Sequence, residues 1–281
     1  MKFETKISPL DLTLTLDCGQ TFRWRPVERC SWEGVIDRHL VILTGSSKTI
    51  TIDTRARDRR VVEQVRGYLR AGDDVAEIQR TLAGDRVLAS GMRKYKGLRI
   101  VKMDEWECLA SYVLATYANI PRIRRMVETL CTKYGQAIPG AAYAFPTIRS
   151  LGEASESDLK RCGLGYRAKY VSRLCESLTP NELRSMTRLE YADLRERLLT
   201  LDGVGEKVAD CVSLFGFGKL EAFPIDVWME RALGRLYHVR GSYRKLSEFA
   251  AQRFGRYAGY AQEYLYFNER SAAHEGACAF S

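Results

Sequence analysis

The sequence predicts an α+β fold, with an antiparallel sheet at the N-terminus followed by an all-helical body. Three observations predict it. Up to about residue 55 the chain runs in short β-type segments separated by Gly, Ser, Asp and Arg-His punctuation. From Arg59 the apolar period becomes helical, and from Asp104 onward every patterned segment is helical, with no strand periodicity.

The strand candidates are LTLTL at 12–16, then 22–24, 32–36, 40–44 and 49–52. In RRVVEQVRGYLR, the residues Val61, Val62, Val65, Tyr68 and Leu69 share one face, which a helix would pack on the sheet. The body then reads as DEWECLASYVLATYA, IRRMVETLCTKYG, SDLKRCGLGYRAKYVSRLCESL, YADLRERLLTL, EKVADCVSLFGFG and DVWMERALGRLY, closed by a helical pair near 245–254 and 259–269. Charged and glycine-containing segments at 90–103 mark a boundary. The predicted domains are a sheet domain with packing helices at 1–97 and a helical body at 98–281, with a loose tail after Ser271.

A chain of 281 residues with 46% hydrophobic composition can bury real cores, which excludes disordered and fibrous classes. Lys and Arg number 44 against 35 Asp and Glu, a formal +9 that suits a polyanionic partner. MKFETKISPL lacks the apolar core of a signal peptide, and no run approaches the ~18 apolar residues of a membrane span. The protein is therefore expected to stay where it is made, away from membranes. Eight cysteines fall singly, with no C-x-x-C pair and only three histidines. Reduced, mostly buried thiols are expected, with neither zinc nor an iron–sulfur cluster.

The segment LDGVGEKVADC at 201–211 carries chemistry. A helix precedes it and another follows, so the unit, at about 190–216, is helix, hairpin, helix. Gly203 and Gly205 allow positive φ and a close backbone approach to another molecule, with free amides at the second helix's start a natural seat for a phosphate. Lys207 lies in that helix's first turn, where the macrodipole disfavours an ammonium. With partial desolvation, such a lysine gains free-amine character and can act as a nucleophile. Cys211, at i+4, shares its face. In FPIDVWMERAL, Pro224 breaks the chain and Asp226 takes the N-cap of the next helix. On these residues alone, a ligand-free αα-hairpin, a lysine touching phosphate, a buried thiol and a merely capping aspartate all stay open.

The hairpin and the PID turn resemble the helix-hairpin-helix-Gly/Pro-Asp (HhH-GPD) superfamily of DNA repair glycosylases, in particular its 8-oxoguanine DNA glycosylase/lyase branch. CGQTFRWRPV near the N-terminus, GLGYRAKYV at 163–171 and YAGYAQEYLYF at 257–267 extend the resemblance along almost the whole chain, in the family's order. It implies a TATA-binding-protein-like sheet domain beside helical subdomains, and excision of a flipped 8-oxoguanine through a lysine Schiff base with strand nicking. Lys207 would be the nucleophile and Asp226 its electrostatic partner. The carbonyl of Gly19 would sense the N7 proton, Gln262 would bond the Watson–Crick edge, and Cys211 and Tyr266 would sandwich the base. Phe215 stands where members often have a methionine in the pocket wall, and tyrosine at 266 replaces their usual phenylalanine.

The resemblance aligns Arg122 and Arg167 with arginines that hold the opposing cytosine, and Tyr166 with an aromatic wedge. Tyr117 takes the place of an asparagine that fills the gap left by the flipped base in eukaryotic members, and Trp228 that of a phosphate-contacting histidine. No cofactor is implied beyond Na+ or K+ at the carbonyls of Leu201 and Val204. The implied partner is double-stranded DNA containing 8-oxoguanine, and the implied state a monomer, located with the DNA in the cytoplasm, nucleoid or nucleus. Endonuclease III-like members carry four clustered cysteines after the aspartate, whereas only Cys278 follows Asp226 here. A non-catalytic helix-hairpin-helix DNA-binding protein, or a glycosylase for another damaged base, is the alternative. Lys207 and Asp226 argue against a pure binder, which needs neither.

Overall fold

The computed structural model describes residues 1–45 and 49–278, with side chains as far as Arg270, and opens on five strands. These are β1 (Lys2–Lys6), β2 (Trp24–Glu28), β3 (Ser31–Ile36), β4 (His39–Gly45) and β5 (Thr49–Thr54), paired antiparallel in the order β1-β5-β4-β3-β2. Leu43 faces Ile52 across β4 and β5, and Trp32 faces Leu43 across β3 and β4. Val41, Leu43, Ile50 and Ile52 are fully buried, so one face of the sheet is a continuous apolar wall.

Two expectations fail here. LTLTL is a short helix, α1 (Leu12–Leu16), not a strand. Five residues cannot separate a period of 2 from one of 3.6, and the tie is broken by Asp11, whose carboxylate accepts the Leu14 N–H at 2.9 Å as an N-cap. The missed strand is β1, KFETK, an edge strand whose charged residues alternate around a single apolar side chain, Phe3.

Against the sheet lies α2 (Arg60–Tyr68), burying Val61, Val65 and Tyr68, followed by α3 (Val75–Leu82) and α4 (Arg86–Lys94), N-capped by Asp74 and Asp85. The body is centred on α5 (Glu105–Ala115), buried all round from Trp106 to Leu114. Around it run α6 (Ile120–Tyr134), α7 (Ile148–Gly152), α8 (Glu156–Leu159), α9 (Arg167–Ser177), α10 (Pro180–Met186), α11 (Tyr191–Leu199), α12 (Glu206–Phe215), α13 (Val227–Leu236), α14 (Tyr243–Phe254) and α15 (Ala258–Cys278). The body is not wholly free of strands: β6 (Ala137–Ile138) and β7 (Ala142–Tyr143) form a two-residue ladder too short to leave a periodic signal. The expected loose tail is instead a continuation of α15 to Cys278, and residues 279–281 lie outside the described part.

One apolar core runs unbroken from the sheet into the body. Gln20 ties the two together: its amide donates to the Arg99 carbonyl at 3.0 Å, its Oε1 accepts from Val101 at 2.9 Å, and its carbonyl accepts from the Tyr112 hydroxyl at 3.0 Å. This fixes the neighbouring Gly19 against α5. Among the described residues the cysteines are free thiols and no cluster of His, Cys, Asp and Glu could hold a metal. Among the described residues no helix is long and apolar enough to cross a membrane.

Candidate active site

A cavity of about 170 Å³ opens where the segment after α1, the α5–α6 corner, α12, the turn before α13 and α15 converge. Seven of the residues singled out in the sequence line it: Gly19, Lys207, Cys211, Phe215, Asp226, Gln262 and Tyr266.

Three of these come from one face of α12, at positions i, i+4 and i+8. Lys207, half-buried in the first turn, holds its Nζ 5.2 Å from the centroid of the Tyr112 ring, which stacks in turn on Phe215 at 5.7 Å. Cys211 is buried, and burial pushes its thiol up to about 12, with Lys207 acting the other way. The thiol is therefore neutral at ordinary pH and offers an apolar, polarisable surface.

The two glycines of the hairpin differ. Gly203 has φ +80, and a Cβ there would lie 2.7 Å from Cγ of Tyr170. Gly205, the N-cap of α12, has φ −91, and a Cβ there would meet nothing within 4 Å. Only the first needs a left-handed backbone, while the second keeps the helix's start open. Leu201 and Val204 are buried at the turn, where the Leu201 carbonyl accepts the Val204 N–H at 3.2 Å.

Asp226 caps α13 as expected, its Oδ1 accepting from the Met229 N–H at 2.9 Å. No ion pair within 4.0 Å joins it to Lys207 among the described residues, so the space between the two side chains is not closed by a direct contact. The position of Asp226 is set by a network the sequence reading missed. Asp210, fully buried beside Cys211, accepts hydrogen bonds from Tyr191 at 2.8 Å, Arg195 at 2.9 Å and Tyr243 at 2.5 Å. Tyr243 also accepts the Ile225 N–H at 3.2 Å. One carboxyl thus fastens the lysine helix to α11, to α14 and to the turn that presents Asp226. Burial raises it above the usual range, opposed by Tyr243, Arg195 and Tyr191.

The opposite wall is α15 with the Gly19 segment. Gln262 is buried and Tyr266, one turn on, is half-buried, its hydroxyl pushed up to about 12 by burial. Gly19 has φ +99, and a Cβ there would press Ile120 Cδ1 at 3.2 Å. Two further lining residues were not anticipated, Cys18 and Glu263, which are 3% and 4% exposed. Burial drives the Glu263 carboxyl up to about 8, a Cys18 hydrogen bond opposing and the Asp226 charge adding.

Of the residues aligned with DNA contacts, two are at the surface and one is buried. Arg122 is exposed in the first turn of α6, and Tyr166 is half-exposed, its hydroxyl donating to the Thr116 carbonyl at 3.2 Å. Arg167 is not on the surface. It is 2% exposed, and its guanidinium donates to the carbonyls of Thr116 and Tyr117 while the Tyr166 ring covers it at 4.5 Å. Held so, it braces the 116–118 loop, where Tyr117 stands 94% exposed at φ +50.

Residues 2–109 match the model of the 8-oxoguanine DNA glycosylase N-terminal domain, and residues 110–256 match that of the HhH-GPD superfamily of base excision DNA repair proteins. The chain belongs to the HhH-GPD superfamily. Among HhH-GPD relatives, it is 30% identical to a probable N-glycosylase/DNA lyase of Methanothermobacter thermautotrophicus, over 94% of this chain and 95% of the relative. The structure of MBOgg1 in complex with a low-affinity DNA ligand superposes with a TM-score of 0.91 at 30% identity, covering 97% of this chain and 96% of that one. The Clostridium acetobutylicum 8-oxoguanine glycosylase/lyase, in complex with duplex DNA containing cytosine opposite 8-oxoguanine, gives 0.89 at 29% identity, covering 97% and 98%.

Proposed function

We propose that the chain is a bifunctional DNA glycosylase and abasic-site lyase that excises 8-oxoguanine from duplex DNA in base excision repair. The observation that carries this reading is the sharing of one cavity by Lys207 and Asp226 with Gly19, Cys211, Phe215, Gln262 and Tyr266. A nucleophile, a carboxylate and a set of base-sized walls are what a flipped nucleoside requires.

Tyr266 and Cys211 take the two faces of the base, Gln262 its Watson–Crick edge, and the Gly19 carbonyl its N7 proton. Lys207, as the free amine, attacks C1′. The bond from C1′ to N9 breaks and its electron pair leaves with the base, which takes up a proton. The sugar opens to an imine on Nζ, loss of a C2′ proton expels the 3′ phosphate, and water then releases the lysine. Asp226 has one oxygen committed to the Met229 amide, and its remaining charge faces the cation that develops on the sugar.

Duplex DNA is the partner, met by a monomer of net charge +9 inside the cell, with the DNA. Exposed Arg122 and Tyr166 contact the strands, Arg167 holds their loop, and the Gly203–Gly205 hairpin receives a phosphate. Carbonyl oxygens at Leu201 and Val204 are hard donors that suit Na+ or K+, and the Leu201 oxygen, bonded once to Val204, keeps a lone pair for such an ion. The ion would add positive charge beside that phosphate.

Borohydride trapping tests the reading. Wild-type protein incubated with an 8-oxoguanine duplex and reductant is expected to give a covalent adduct, and Lys207→Gln none. An undiminished adduct with Lys207→Gln removes the lysine from the mechanism.

A further inference from the structure

Gln262 and Glu263, neighbours on α15, both line the cavity, and each carries a buried oxygen without a hydrogen-bond partner, Gln262 Oε1 and Glu263 Oε2. A buried oxygen left unmatched is costly, and a pair of them on a cavity wall points to a ligand that matches them. Gln262 is absorbed by the mechanism above, whereas Glu263 is not.

Its surroundings decide which form the carboxyl takes. From the segment after α1 it faces Cys18, from α5 Tyr112, from the hairpin helix Lys207, from the turn before α13 Asp226, and from its own helix Tyr266. No lysine or arginine nitrogen lies within 4.0 Å of it among the described residues, and the nearest like charge is Asp226. A carboxylate here would be desolvated, repelled by Asp226 and held by the Cys18 thiol alone. A neutral carboxyl offers one donor and one acceptor.

We propose that Glu263 is a second base-reading residue beside Gln262, whose neutral carboxyl turns to donate a hydrogen bond to a carbonyl oxygen of the flipped base. An oxidised purine in its lactam form supplies that acceptor. The inference rests on the cavity being the base pocket. Ionisation of Glu263 removes the donor and sets a negative charge against the carbonyl, so base reading weakens as the carboxyl loses its proton, near pH 8.

The test uses the full chain and two DNA duplexes, one with 8-oxoguanine opposite cytosine and one with a pre-formed abasic site, in single-turnover assays from pH 6.5 to 9.5. Glu263→Ala is expected to slow base excision roughly 10- to 100-fold while strand cleavage at the abasic site, which offers no base to read, is retained. Glu263→Gln keeps a donor and an acceptor. It is expected to restore excision and to lack the decline that wild type shows above about pH 8. Equal losses on both duplexes with Glu263→Ala, excision at the wild-type rate, or parallel pH profiles for wild type and Glu263→Gln each overturn the proposal. A wild-type chain silent on 8-oxoguanine but active on the abasic duplex overturns the substrate reading as well, and differs visibly from silence confined to the variants.

Discussion

Replacing Glu263 by Gln should make the protein more stable at neutral pH, and by an amount that depends on pH in a calculable way. The folded-state carboxyl is raised from 4.5 to about 8, chiefly by burial. The folded protein thus holds this proton more tightly than the unfolded chain does. The resulting stabilisation is fully present below about pH 4.5 and is lost as pH rises toward about 8. At 1.36 kcal/mol per unit, a shift of about 3.5 units corresponds to about 5 kcal/mol, of which roughly 3–4 kcal/mol disappears between pH 5 and pH 8. Glutamine has the same shape and no titration. Urea unfolding of both proteins at pH 5, 6, 7, 8 and 9, extrapolated to water, gives the difference curve, in which every other titrating group cancels. The gap should widen in favour of Glu263→Gln up to about pH 8 and then level off. Parallel curves across pH 5–9 would refute the argument, because they mean the carboxyl is ionised in the folded protein as easily as in the unfolded one.

Other substitutions separate roles that the fold brings close together. Gly203→Ala places a side chain at φ +80 and against the Tyr170 ring, and is expected to cost roughly 2–4 kcal/mol in urea unfolding and to weaken DNA binding in a mobility-shift assay. Gly205→Ala, with ordinary φ and open space, should cost under about 1 kcal/mol. Asp210→Asn removes the charge that Arg195 faces and loosens the Tyr243 link to Ile225. A loss of roughly 2–4 kcal/mol is expected, with slower single-turnover excision as Asp226 loses its support. Arg167→Lys keeps the charge but cannot span two carbonyls, so cleavage of the 116–118 loop by a protease should accelerate while abasic-site trapping persists.

What could be read from the residues alone follows how local each signal is. The hairpin and the Asp226 cap were legible because a glycine turn, a helix start and a capping aspartate each act within four residues. LTLTL carried such a signal too, in Asp11, but its alternation resembled a strand and prevailed over the cap. Gln262 and Tyr266 formed an unremarkable i, i+4 pair until a family resemblance gave them partners far away in the chain. The burial of Glu263, Asp210 and Arg167 was out of reach for a common reason. Each is a charged residue on a helix, which pattern alone assigns to the solvent, and each is buried only because a remote element closes over it: the Cys18 segment over Glu263, α14 over Asp210, the 116–118 loop over Arg167. These are also the positions that hold the pocket in shape. A buried acid or guanidinium is costly unless matched, so it persists where its partner is a particular group in a particular place. Asp210 and Arg167 find that partner within the chain. Glu263 finds only the Cys18 thiol, and its unmatched Oε2 is the reason to look for a further partner on the substrate.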